Sequence, residues 1–416
     1  VVIVVTAFLE KLWPELFATD PNAAAFIQSL PRTGLLFLSN VIIVGVLLMI
    51  LREVAQRARA RVEGLVDEGF VEGRVAGGNK ALAELAALAE EYPPATVEAI
   101  TGIPQGKLLT AARTFATLAE HQGPHGEIPS NVDPLSQRIS YGGTTGRVDA
   151  DLWFIIGCGE YWQASGDDEF LEELLPAIEK VRFLLGAWEF NSRGLLYIPL
   201  TGDWADEYLH NGYVLYDQLL YLQAQRTLAR MHAATHGSSD HQLLEKISRL
   251  RHLIRANYWF DGDGIPDDAY HEVLYRKGLQ AAAHCAGRHW MPYFSPSGYG
   301  YRFDAFANVL ASLLGVASEA QCDKVDAFIA EQLVAEELPL LPAFHPVIKP
   351  VDEDWEHLQV MFSYTFKNKP YEFHNGGLWS LITGFYVADL ARRQRTEQGQ
   401  KYLQAIHQAN ALPMDG

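Results

Sequence analysis

Residues 201–222 read TGDWADEYLHNGYVLYDQLLYL. Asp203, Trp204, Asp206 and Glu207 crowd into one short loop, and from Gly212 onward apolar residues recur at the three- and four-residue spacing of an α-helix. A loop rich in aromatic and acidic side chains thus feeds directly into a helix, and the same rhythm extends in both directions. Helical spacing marks Leu82–Ala89, Leu108–Leu118, Leu152–Trp162, Phe170–Trp188, Val214–Met231, Leu243–Tyr258, Phe303–Leu314, Val325–Leu333 and Leu378–Leu390. Between them Gly123–Gly126, Gly142–Gly146, Ser295–Gly300 and Asn375–Gly377 have the composition of turns. Extended alternation is scarce and no repeat of fixed period is visible, so neither a parallel sheet nor a solenoid is supported. The pattern predicts an all-α fold, a toroid of helical hairpins with its site at the loop-bearing end.

The chain has 416 residues, 49% hydrophobic and 20% charged, a globular balance that leaves room for one large domain or two ordinary ones. Its net charge of −18 repels a phosphate backbone and disfavours general nucleic-acid binding, while a neutral sugar is indifferent to it. Nine Trp and eighteen Tyr supply faces on which sugar rings stack, although a large core accounts for most of them. Cys158, Cys285 and Cys322 are odd in number, far apart and free of any C-x-x-C spacing, which indicates neither a disulfide framework nor a zinc site. No cofactor is expected. The character of the chain changes near residue 110: before it lies an aliphatic, Ala/Glu-rich stretch with Trp13 alone, and after it Trp, Tyr, His and Asp abound. This divides the chain into residues 1–107, a helical segment of unassigned role, and residues 108–416.

From about Ala111 onward three stretches carry a resemblance. His121-Gln-Gly-Pro-His-Gly-Glu-Ile-Pro-Ser-Asn131 is followed by Gly146-Arg-Val-Asp149-Ala-Asp-Leu-Trp153-Phe; then comes Thr201–Glu207; then Ser297-Gly-Tyr-Gly-Tyr301-Arg302-Phe-Asp304 and Lys369-Pro-Tyr-Glu372-Phe-His374-Asn375-Gly-Gly377-Leu-Trp379. In order and spacing they resemble glycogen-debranching-type amylo-α-1,6-glucosidases and neutral or alkaline invertases, glycoside hydrolases of the (α/α)6-barrel superfamily. The resemblance implies inverting hydrolysis of an α-linked glucoside such as a short oligosaccharide, a branch stub or sucrose. Inversion needs an acid for the leaving oxygen and a second carboxylate, about 6.5–9.5 Å away, for water. Two departures accompany it. Residues 1–110 lack the aromatic-arginine-aspartate loop that opens such barrels, and the family's general base, a Glu beyond the His-Asn-Gly-Gly loop, is expected past Gly416. The barrel is therefore expected to be incomplete at both ends, and the chain weakly active or inactive, with Glu372 as the carboxylate that could stand in. Residues 60–116 separately resemble a short segment of formate dehydrogenase-type molybdopterin oxidoreductases, without any cofactor ligand. A fusion, a truncation and a recombined sequence all fit this pattern.

On the resemblance Asp206, two residues after Trp204, is the general acid, with Asp203 as the alternative. An adjacent indole lowers local polarity and raises a carboxyl pKa; without the resemblance a helix-start Asp is read as a cap. Asp149 and Trp153 are assigned to the sugar, as are Trp204, His374, Asn375 and Trp379, while Gly376 and Gly377 allow close backbone approach. Arg302 and Asp304 form either an ion pair behind the site or sugar contacts, and Glu372 belongs to the same loops. Glu127 with Asn131 is a weaker candidate of this kind, and Asp151 reads as surface or cap. Asp261–Asp268 fails the spacing of a calcium loop, and His284, Cys285 and His289 match no zinc pattern.

A non-catalytic carbohydrate-binding or structural helical protein is the alternative to a hydrolase. The uncharged run Leu35–Leu51, followed by Arg52, Arg57, Arg59 and Arg61, is near the minimum for a membrane span. A buried helix is preferred, which makes the expected location cytoplasmic and membrane anchoring the alternative.

Overall fold

A computed structural model describes residues 105–133, 136, 138–190, 192–262, 264–285 and 287–411. Leu82–Ala89, Leu35–Leu51 and nearly all of the segment 1–107 lie outside them. Among the described residues no helix is long and apolar enough to cross a membrane. The all-α class is borne out: eleven helices account for most of the described chain, and the strands are two or three residues long. The described residues divide into two compact units, one lying within Val1–Ile139 and Trp153–Lys180, the other within Ser140–Leu152 and Val181–Gly416.

The first unit holds α1 (Gln105–Glu120), most of α2 (Val148–Ser165) and the beginning of α3 (Asp168–Ala187). Phe115 of α1 meets Phe154 of α2 edge-on at 6.4 Å. Asp167 caps α3 by accepting from Phe170 N at 3.0 Å, and Gln122 ties its loop to α3 by donating to Gly126 O and Ala177 O, both at 2.9 Å. Glu127, placed among the weaker site candidates, closes its own loop by accepting from His125 N at 2.9 Å.

The second unit contains α4 (Leu215–His236), α5 (His241–Tyr258), α6 (Glu272–Ala282), α7 (Ala305–Leu313), α8 (Glu319–Ala335), the short α9 (Trp355–Leu358), α10 (Ser380–Arg392) and α11 (Thr396–Asn410). Helix α4 packs on α5 and α7, α7 on α10, and α10 on α11. Burial separates two kinds of helix. Every residue of α4 from Leu215 to Gln225 is buried, as is α7 from Ala305 to Ser312, whereas α5 buries only Leu243, Leu250, Leu253, Ile254, Asn257 and Tyr258. A helix buried on every face, polar residues included, has neighbours on every side, and an amphipathic one covers it from outside. The covering helices α6 and α11 bury only Tyr275, Gly278 and Ala282, and Gly399, Tyr402 and Leu403. Such thin stripes explain why neither stands out from apolar spacing.

Each inner helix is entered from an extended pair of residues. Tyr213–Val214 precedes α4 and pairs antiparallel with Tyr293–Ser295; Phe303–Asp304 precedes α7 and pairs with Phe344–His345; Leu378 bridges to Pro342 just before α10. These bridges fix where the inner helices begin, and the loops of interest lie there. At the other end of α7, Asp389 Oδ2 accepts from Ser312 Oγ at 2.7 Å and Arg393 Nε at 2.8 Å, while Oδ1 accepts from Arg392. Asp326 accepts from both terminal nitrogens of Arg393 and from Tyr386 OH, all at 2.8 Å.

Candidate active site

The loops that precede the inner helices meet on one indole. Trp204 is 4% exposed, and its ring lies 5.1–6.3 Å, between centroids, from Tyr216, Phe306, Phe344, His374 and Trp379. Those residues come from the starts of α4 and α7, the Phe344–His345 strand and the loop before α10. The 201–207 loop is fixed in turn by Asn368, which donates to Glu207 O and accepts from His374 N at 3.0 Å and Asn375 N at 3.2 Å. Glu207 accepts from Ser363 N at 3.2 Å and Lys367 Nζ at 3.1 Å.

Asp206 sits at the edge of this cluster. Arg147 Nη2 donates to its Oδ2, and His374 Nε2 lies 3.7 Å from its Oδ1. The Asp206 side chain is 15% exposed, whereas Asp149, Asp203, Asp217 and Asp304 are at most 2% exposed. Of these five, Asp206 has the open face. Burial, reinforced by the Arg147 charge, pulls the His374 imidazole well below its usual range, so its ring stays neutral.

Behind Asp206 the four buried aspartates crowd one another. Burial pushes Asp149 up to about 6 against the opposing pull of Arg147, and pushes Asp304 up to about 7. Burial also drives Asp203 and Asp217 well above the ordinary carboxyl range, helped by repulsion from Asp149 and Asp304 and, for Asp217, from Asp203. Three are half satisfied: Asp149 Oδ2 accepts from Tyr216 OH at 3.2 Å, Asp203 Oδ1 from Ala205 N at 2.9 Å, and Asp304 Oδ1 from Ala307 N at 3.0 Å as the N-cap of α7. Their other oxygens, and both oxygens of Asp217, accept no hydrogen bond. Carboxyls in such surroundings hold protons near neutrality and can lend them. Among the described residues no group of His, Cys, Asp and Glu could hold a metal ion.

Other residues singled out in the sequence have different duties. Asn375 is spent internally: Oδ1 accepts from Ile348 N at 2.7 Å and Nδ2 donates to Ile348 O at 2.8 Å and Asn368 O at 3.1 Å. It is a brace of the loop. Gly376, at φ 85°, would drive a Cβ into Val347, so the glycine serves the loop's own packing. Arg302 does not pair with Asp304; its Nη1 donates to Asp354 Oδ2 at 2.6 Å. Glu372 is more than half exposed, with Lys369 Nζ 3.6 Å away. Trp153 is 1% exposed and packs inside α2, in the first unit, as core. Asp151, read as surface or cap, is 1% exposed. Trp379 donates from Nε1 to Phe373 O at 3.0 Å, which leaves its ring against Trp204 and His374.

Three residues of the site were not singled out. Arg147 stands inside the quoted 146–153 stretch, where only its charge two residues before Asp149 hinted at a pair. Asp217 is an acid in the first turn of a helix, a signal that helix-start statistics disguise as ordinary. Asn368 carries no local signal.

A profile of the alkaline and neutral invertase family matches residues 140–413. The chain is similar, at 22% identity over 287 residues, to the probable alkaline/neutral invertase D of Arabidopsis thaliana, with 61% of this chain and 51% of that protein covered. It is also 22% identical over 293 residues to the mitochondrial neutral/alkaline invertase 1 of Oryza sativa subsp. japonica, covering 63% and 44%, and over 289 residues to cytosolic invertase 1 of the same species, covering 61% and 48%. The chain spans about half the length of the curated relatives it matches. The family match begins at residue 140 and lends no support to the molybdopterin oxidoreductase resemblance of residues 60–116. The glycosidase resemblance, by contrast, holds over most of its expected range, and the chain belongs to the alkaline and neutral invertase family of glycoside hydrolases.

Proposed function

We propose that this chain handles an α-glucoside such as sucrose by inverting acid/base hydrolysis, with Asp206 as the general acid and Asp149, buried behind it, acting on the sugar through the Arg147 guanidinium whose charge it faces. The observation that carries the reading is the partial opening of Asp206 between Arg147 and His374, while every neighbouring aspartate is shut away. A proton donor must touch the glycosidic oxygen, which favours Asp206 over the buried Asp203. To act as the acid, Asp206 must take up a proton from solvent and release Arg147, whose guanidinium can then donate to a sugar hydroxyl. Trp204 and Trp379 supply the apolar wall. A cytoplasmic location is part of this proposal, in keeping with the cytosolic relative from rice.

A second reading, sugar binding without turnover, is favoured by Glu372, which is exposed beside Lys369. The test is a hydrolysis screen on aryl α-glucoside, sucrose and maltooligosaccharides, with product anomers followed by NMR and binding by calorimetry. Asp206→Asn is expected to cost about 10²–10⁴ in rate with binding largely kept, and Asp149→Asn to weaken both. Turnover that survives Asp206→Asn overturns the acid assignment. Binding without turnover in the unaltered chain selects the second reading.

A further inference from the structure

Three arginines from two helices converge on the turn that ends α7. Arg226 of α4 donates from Nη1 to Leu314 O at 2.8 Å; Arg251 and Arg255 of α5 donate to Gly315 O at 3.2 Å and Val316 O at 3.3 Å. The carbonyl end of a helix carries about half a negative charge, which accounts for one cation there and not for three. The same arginines, with Ser248 and His252, line a cleft of about 510 Å³ that has no carboxylate among its lining residues. This concentration of positive charge stands on a chain of net charge −18. A guanidinium has five donors in a planar fork that matches phosphate oxygens in pairs. The carbonyl bonds of Arg251 and Arg255 use one donor each and hold these two forks in place. The cleft is larger than a bare phosphate needs and falls in the range of small-molecule sites.

We propose that this cleft binds the phosphate group of a small phosphorylated metabolite, at a site separate from the carboxylates. The separation follows from the helices themselves. Helix α4 carries Asp217 in its first turn and Arg226 two and a half turns later, about 14 Å along the axis; α7 carries Asp304 at its start and Leu314 at its end. Both sites can therefore be filled together.

The proposal is tested by calorimetric titration with inorganic phosphate and, separately, a hexose phosphate, at about 0.15 M salt. Saturable binding is expected, tighter for the ester. The double variant Arg251→Ala/Arg255→Ala should weaken it at least about tenfold, since charge-assisted hydrogen bonds are lost. Because these side chains also cap α7, circular dichroism and the thermal midpoint establish that the variant is folded. Arg251→Lys/Arg255→Lys keeps the charge and loses the fork; it should bind more weakly than the parent, and it decides the matter if the alanine variant unfolds. No saturable binding of either probe at millimolar concentration, or unchanged affinity in folded variants, overturns the site. Inorganic phosphate binding as tightly as the ester overturns the metabolite.

Discussion

The four aspartates behind Asp206 and Asp389 at the far end of α7 are all withdrawn from water, yet only Asp389, with Asp326 beside it, is neutralised. Arg393 bonds both Asp389 and Asp326, Arg392 bonds Asp389, and Ser312 and Tyr386 donate to the carboxylates as well. Asp149, Asp203, Asp217 and Asp304 have Arg147 among them, and Arg147 spends its hydrogen bond on Asp206. Five of their eight oxygens accept nothing. An ion network with every member satisfied fixes α7, α8 and α10 against one another, whereas a buried carboxylate left short of partners costs stability. Chains keep such groups where something else needs them, which sets the structural joint apart from the candidate site.

The largest effect should come from breaking the joint. Arg393→Ala strands Asp326 and part of Asp389, and should cost roughly 3–5 kcal/mol in denaturant unfolding. A loss below about 1 kcal/mol would erase the contrast between the two regions, because the network would then be no firmer than a surface ion pair.

A smaller effect, of distinctive sign, should come from the site. The folded protein holds the Asp304 proton up to about pH 7, whereas the unfolded chain releases it near the ordinary value of 3.8. Between these values the folded state binds more protons, so this group's contribution to stability is full in acid and is lost as pH rises through about 7. Asp149, pushed up to about 6, acts in the same direction. Asp304→Asn keeps an acceptor for Ala307 N and removes the charge. It should flatten the fall in stability between about pH 4 and 7 by on the order of 3 kcal/mol. Thermal midpoints across that window check it, and an unaltered slope would mean that Asp304 is already compensated.

The smallest effect calibrates the others. Ser318 caps α8 in a capping box with Gln321, at the exposed start of the helix, two turns before Asp326. Ser318→Ala should cost about 1 kcal/mol, equally at pH 4 and pH 7. A pH-dependent loss there would show that the Asp304 profile reports something more general than its own titration.

Helix class and the loops of interest were legible in the chain because they rest on local spacing. Apolar periodicity alone marked α1 to α5, α7, α8 and α10, with ends up to six residues off, and Trp204, Asp206, Asp149 and His374 stand in stretches whose order and composition resemble a known family. Periodicity fails at α6 and α11, whose buried faces are too thin to announce themselves. What each polar side chain does depends on neighbours distant in sequence. Asn375 became a brace because Ile348 and Asn368 arrive on either side of it, and Arg302 turned to Asp354 because of a loop fifty-two residues away. Asp217 became part of the site only when burial and three other carboxylates closed around it. Hydrogen-bond completion, desolvation and charge crowding are properties of an assembled environment. The sequence by itself determined the helices and the residues available for chemistry, and tertiary structure decided which of those residues are satisfied and which remain free to act.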